Sequence, residues 1–218
     1  MPQITAIEPQ KKRKNRFNIY LDGQFAFGIE SENLAKFNLK IGSNLATYEV
    51  SSIIAKEETS KLTDYALRFL SLRPRSEEET RDYLVKKIIK LDNVGYQQAI
   101  VSPLIDKVIT KLKRYQYLND NQFAQWLTAS RTGSNPRGVT LIKLELVKRG
   151  VNRQIIESVL SQVPNQTKLA QKALEKKLRH WQGLSPQNLK KKVYSYLASR
   201  GFDWSTIGEV FAFLSKKR

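Results

Sequence analysis

The chain has 218 residues, no cysteine and a single histidine, His180. That length suits one or two domains, or an array of small ones, and needs no disulfide or metal to stay folded; the composition excludes disulfides, thiolate nucleophiles and zinc–thiolate centres, and leaves too little for a histidine-based metal site or triad. The net charge is +18, and residues 131–218 hold 18 Lys+Arg against five Asp+Glu, whereas residues 1–60 are nearly balanced, which points to a polyanionic partner such as nucleic acid, an acidic protein surface or a membrane.

Met1–Thr5 carries no apolar run or small-residue cleavage site, and no stretch reaches the roughly 18 apolar residues of a membrane span. The expectation is a cytoplasmic protein without a membrane segment. In chain order, Ile4–Ile7 reads as a strand. Phe17–Leu21 and Gln24–Ile29 form a hairpin, because Asp22-Gly23 supplies the two positive-φ residues of a tight turn. Lys11-Lys12-Arg13-Lys14 reads as a solvated turn. Residues 31–37 and 47–59 read as helices covering the sheet.

From about residue 61 every segment has helical periodicity. Tyr65, Leu67, Phe69, Leu70 and Leu72 mark a short helix that stops at Arg73-Pro74. Ser76 and Glu79 form a capping box for a helix carrying Tyr83, Leu84, Ile88 and Ile89. Residues 90–101 read as loop and 103–116 as helix. Asn119 with Gln122 opens a helix through Phe123, Trp126 and Leu127 to Arg131, which Gly133–Pro136 breaks. Leu141, Leu144, Leu146 and Val147 mark the next helix, ended by Gly150, and Asn152 caps another through Ile156 and Val159. After a break at Pro164–Gln166, helices follow over 167–182, 187–200 and 204–216, with Ser185-Pro186 and Asp203 as starts and Gly201 as a stop.

These segments repeat. Lys148-Arg149-Gly150-Val151-Asn152 aligns with Ser199-Arg200-Gly201-Phe202-Asp203, each offering a left-handed glycine, an apolar residue and an Asx cap. The proline break recurs at Pro74, Pro136 and Pro186. The fold class is therefore mainly α: tandem three-helix repeats in an extended curved array, with a small N-terminal β-hairpin module. The expected divisions are 1–60, 61–118, 119–164 and 165–218.

The residues Tyr117-Leu118-Asn119-Asp120-Asn121-Gln122-Phe123-Ala124, Arg131, Pro136-Arg137 and Leu144–Val151 resemble those of the RecX family, regulators of the RecA recombinase. Ala66–Glu77 resembles it as well, and the hairpin from Arg16 to Ile29 is similar to an N-terminal extension of longer members. Asn119 stands where aspartate is more usual and Thr80 where leucine is, and the 90–101 insertion is a departure. The resemblance implies a protein without catalytic residues or cofactor, acting as a monomer. Its partners would be the RecA filament and, non-specifically, DNA, with no membrane or small-molecule substrate. Family members bind in the groove of RecA–DNA filaments and restrain filament extension, ATP hydrolysis and strand exchange.

Two groups of cations are the candidate contacts. Lys143, Lys148, Arg149 and Arg153 surround the second glycine turn, and Lys190, Lys191, Lys192 and Arg200 do so in the third repeat. Arg131 and Arg137 flank the 133–136 loop. The alternative for each is a solvated helix face or a charge favouring the helix dipole. Charge reversal at Lys143, Lys148 and Arg149 together is expected to weaken filament binding without lowering thermal stability.

Tyr115, Tyr117, Phe123 and Trp126 are expected between helices; Trp181 and Trp204, near helix ends, are left open. His180 reads as structural or surface. Glu77–Glu79 sit in a helix first turn, where acids favour the dipole, and are not expected to bind metal. A helix-turn-helix reading at Gly150 or Gly201 is disfavoured because Leu146 and Leu197 stand where a small residue is usual. Non-specific phosphate binding stays open as an alternative function. An enzyme is disfavoured: no Walker-type loop occurs, and the most basic region has only Glu145, Glu157, Glu175, Asp203 and Glu209 as acids.

Overall fold

The computed structural model describes residues 1–11, 13–163 and 165–216. It is mostly helical, with eleven helices among the described residues and a three-stranded antiparallel sheet in the order β1-β2-β3. The chain forms two compact units, residues 1–69 with 84–112, and residues 70–83 with 113–218.

In the first unit, β1 (Ile4–Gln10), β2 (Arg13–Leu21) and β3 (Gln24–Glu30) make the sheet. The Asp22-Gly23 turn has φ of 49° and 81°, the conformation the hairpin requires. Ile4, Ile19 and Ile29 are fully buried, and pack with Phe27, Leu39, Leu45 and Ile53. Of the basic run, Lys11 is a turn residue, Lys12 lies outside the described residues and Arg13 already belongs to β2. α1 (Ser31–Lys36) packs on β2 and β3. Glu57, buried on α2 (Thr47–Leu70), accepts a hydrogen bond from Asn33 and faces Arg16 at 3.6 Å. A buried carboxylate is tolerable there because it has both a donor and a cation.

α2 joins two segments that the periodicity separates. No glycine or proline lies between Thr47 and Leu70, so nothing breaks the helix, and the hydroxyls of Thr59 and Thr63 are satisfied by carbonyls one turn back at 2.7 Å. Residue 60, the expected division, is a residue of α2. Leu72 lies beyond its end and is exposed. α3 (Glu77–Asp92), the short α4 (Tyr96–Ile100) and α5 (Pro103–Arg114) follow, so the expected 90–101 loop is largely helical.

The second unit holds α6 (Asp120–Thr132), α7 (Val139–Lys148), α8 (Arg153–Ser161), α9 (Gln166–His180), α10 (Pro186–Ser199) and α11 (Trp204–Lys216). Pro164 lies outside the described residues. α6–α8 close around Phe123, Ala124, Leu127, Ile142, Leu146, Ile156 and Val159; α9–α11 close around Leu174, Val193, Leu197, Phe202, Ile207 and Val210. The starts follow the sequence: Asn119 accepts from the amides of Asn121 and Gln122, Asn152 from Gln154, Ser185 from Asn188 and Asp203 from Thr206. Each such cap is worth about 1 kcal/mol.

Both Arg-Gly turns are Schellman motifs. The amide of Gly150 bonds to Val147 O and that of Val151 to Leu146 O; Gly201 and Phe202 bond likewise to Ala198 O and Leu197 O. The glycines have φ of 71° and 80°, which a side chain would strain. Leu146 and Leu197 are fully buried.

Candidate polyanion and partner interface

Each Arg-Gly turn seats itself on the preceding repeat. A Cβ on Gly150 would lie 2.7 Å from the Glu78 Cβ, on the first turn of α3, and one on Gly201 would lie 2.5 Å from the Leu141 Cβ, on the first turn of α7. At the second contact the backbones nearly touch: a Cβ on Gly138 would lie 2.0 Å from Gly201 O, and the Gly138 amide donates to Arg200 O at 2.9 Å. The arginines before the glycines turn the same way. Arg149 pairs with Glu79, and Arg200 donates to the carbonyls of Asn135 and Pro136 at 3.3 and 3.4 Å.

Glu79 gathers three arginines. Arg73 donates at 2.7 Å, Arg75 stands at 3.5 Å and Arg149 completes the set. The capping box forms beside it: the Glu79 amide donates to Ser76 Oγ at 3.2 Å and the Ser76 amide to Glu79 Oε2 at 3.4 Å. Burial opposes ionisation of Glu79, but the hydrogen bonds and charge of Arg73, the Ser76 amide and the Arg149 charge outweigh it, and its carboxyl is held below the ordinary range. Glu145 of α7 has a similar role. Arg131 grips it with two bonds of 2.8 and 2.6 Å and Arg137 adds one of 3.2 Å. Those bonds from Arg131 outweigh burial and, with the charges of Arg131, Arg137 and Arg149, lower its pKa. The 133–136 loop is tied across its ends by the Arg137 amide on Arg131 O.

Among the candidate cations, Arg131, Arg137, Arg149 and Arg200 are therefore engaged within the protein. Arg153 is 85 % exposed and pairs with Glu157 one turn on, a pair that water screens strongly. Lys143, Lys148, Lys190, Lys191 and Lys192 are exposed and make no ion pair among the described residues. Lys190 lies 5.7 Å from the Tyr194 ring centre. Reversing Arg149 together with the lysines would remove its pairing with Glu79, so the expectation of unchanged thermal stability for that triple variant is narrowed to Lys143 and Lys148.

The outer face of α7 is the feature that periodicity misreads. Leu144 and Val147, two of the apolar residues that mark the helix, are 50 % and 54 % exposed; Ile142 and Leu146 take the core positions because they face α6 and α8. Leu144 and Val147, with Leu141 and Ala198, floor an open groove of about 460 Å³, which Lys143 also lines. A helix that is apolar on two faces while one stays uncovered suits a contact surface. Tyr115 and Tyr117 are likewise about 60 % exposed: Gln116 has φ of 60°, which ends the helix and leaves Leu118 to fill the core. Phe123 is buried and Trp126 packs on it, with Arg73 over its ring. Trp181 meets Tyr196 edge-on, Trp204 is mostly exposed, and His180 Nδ1 lies 2.8 Å from Lys176 O. Glu77 bonds to Arg81 and Lys113 at 2.9 Å each. No group of three potential metal ligands occurs among the described residues, and no described helix is long and apolar enough to cross a membrane.

Fold and site together define a tandem helical-repeat protein with a basic, partly apolar outer surface. Comparison with known proteins gives the family. "Regulatory protein RecX N-terminal domain" matches residues 2–46, "RecX, first three-helix domain" residues 64–92 and "RecX, third three-helix domain" residues 165–211. The regulatory protein RecX of Bacillus subtilis is 35 % identical over 209 residues, covering 95 % of this chain and 75 % of that protein. That of Listeria monocytogenes is 32 % identical over 206 residues, covering 92 % and 71 %. A crystal structure of regulatory protein RecX superposes with a TM-score of 0.70 at 27 % identity, covering 96 % of this chain and 98 % of the other. RecX from Lactobacillus salivarius gives 0.61 at 25 % identity, covering 73 % and 98 %. The chain belongs to the RecX family of regulatory proteins.

Proposed function

We propose that this protein binds in the groove of RecA–DNA filaments and restrains their ATP hydrolysis, extension and strand exchange, as a monomer whose three three-helix units follow the N-terminal module in the chain. Membership of the RecX family, over nearly the whole chain, carries this reading. The exposed Lys143, Lys148, Arg153 and Lys190–Lys192 supply the attraction, and Leu144 and Val147 supply an apolar contact against protein. The engaged Arg131, Arg137, Arg149 and Arg200 hold the frame that presents them. Charge speeds encounter, while the geometry of the groove selects the partner. The test is co-sedimentation with RecA filaments of wild type and of Lys143→Glu/Lys148→Glu. The double variant is expected to bind about tenfold more weakly; equal binding would remove α7 from the contact.

A further inference from the structure

The third repeat carries a basic cleft whose lysines the features above do not use. α9, the end of α10 and the 133–137 loop enclose about 510 Å³, lined by Lys172, Lys176, Lys177, His180 and Arg200, with Glu175 as the one carboxylate among the lining residues. Lys172, Lys176 and His180 follow one another at four-residue steps, so they stand on one face of α9 over about 12 Å. The bonds from Arg200 to the carbonyls of Asn135 and Pro136 fix its guanidinium at the wall of the cleft. Concave walls of one sign of charge focus potential toward an anion.

The lining also says what kind of anion. Tyr196 is the aromatic residue of the cleft, and its ring is already taken: Arg200 lies 4.8 Å and Lys177 5.7 Å from its centre, Trp181 meets it edge-on, and its hydroxyl donates to Ala173 O. It offers no face on which a base could stack. What remains is a row of exposed ammonium groups, donors that match phosphate oxygens and carry no sequence information.

We propose that this cleft binds the phosphodiester backbone of nucleic acid without reading its sequence. It deepens the filament reading by supplying a DNA contact, and it rests on that reading only for its biological setting, since binding is tested with no recombinase present. The measurement is fluorescence anisotropy of a labelled single-stranded oligonucleotide with the full chain, across a range of salt. Lys172→Gln/Lys176→Gln/Lys177→Gln is compared with wild type and with a charge-matched control, Lys40→Gln/Lys86→Gln/Lys90→Gln; the smaller variant Lys172→Gln/Lys176→Gln serves should the triple variant unfold. The cleft variant is expected to lose about tenfold in affinity, with the slope of log K against log salt shallower by about two, equally for oligonucleotides of different sequence. The control is expected to stay within about twofold of wild type. An unchanged cleft variant, or an equal loss in the control, would overturn the proposal. So would tight binding of a nucleoside triphosphate or inorganic phosphate with no binding of the oligonucleotide, which would make the cleft a small-anion site.

Discussion

The turns at Arg149-Gly150 and Arg200-Gly201 share one backbone geometry, down to the same pair of capping hydrogen bonds, yet they hold their neighbours by different chemistry. At the first, Gly150 sits against the Glu78 Cβ and Arg149 joins the arginines around Glu79. At the second, Gly201 sits against Leu141 and the backbone of Gly138, and Arg200 bonds to main-chain carbonyls. A repeat architecture keeps the turn because only it brings the chain close enough; the side chains that finish each junction are free to differ. One junction is consequently tunable by charge and the other by volume.

Substitution of the glycines separates them most strongly. Each alanine adds left-handed strain of about 1–2 kcal/mol and overpacking of about 1–3 kcal/mol, and Gly201→Ala is expected to lose more, because its new Cβ would meet the Leu141 backbone as well as the Leu141 Cβ, whereas at Gly150 the close atoms are the Glu78 Cβ and Cγ. Denaturant unfolding of both variants checks this, and equal losses would mean the second junction is not the tighter one.

Removing charge tests the other side of the comparison. Glu79→Gln leaves Arg73, Arg75 and Arg149 without their carboxylate and is expected to cost about 1–3 kcal/mol. The pH dependence follows from the lowered pKa values of Glu79 and Glu145. Because each is held below the ordinary 4.5 in the folded state, its stabilisation is complete above that value and is lost as pH falls through the lower folded value. Acid unfolding should therefore weaken in Glu79→Gln relative to wild type, and be unaltered in Gly201→Ala. The smallest effect is expected from Lys143→Glu/Lys148→Glu, within about 0.5 kcal/mol of wild type, while Arg149→Glu lowers the unfolding temperature.

Much of this was legible from residues alone. The Asp22-Gly23 hairpin, the Ser76–Glu79 capping box, the Asn119, Asn152, Ser185 and Asp203 starts and the two glycine stops are local, and local backbone chemistry decides them. The continuity of α2 is hidden because Lys56–Lys61 holds no apolar residue to extend the periodicity, although nothing in it breaks a helix. That Leu144 and Val147 stay exposed is not legible, because periodicity marks an apolar face without saying whether a second element covers it. The inward turn of Arg149 and Arg200 depends on contacts 70 and 64 residues away in sequence, and the α9 cleft gathers residues from three elements. Neither leaves a signal in a short window.

The most direct test of filament-level regulation is RecA ATP hydrolysis on single-stranded DNA, titrated with this protein while its coverage of the same DNA is followed. Restraint by groove binding predicts that hydrolysis falls at amounts far below those that coat the DNA. Hydrolysis unchanged until the DNA is saturated would contradict it, and would leave a basic DNA-coating protein with a RecX fold.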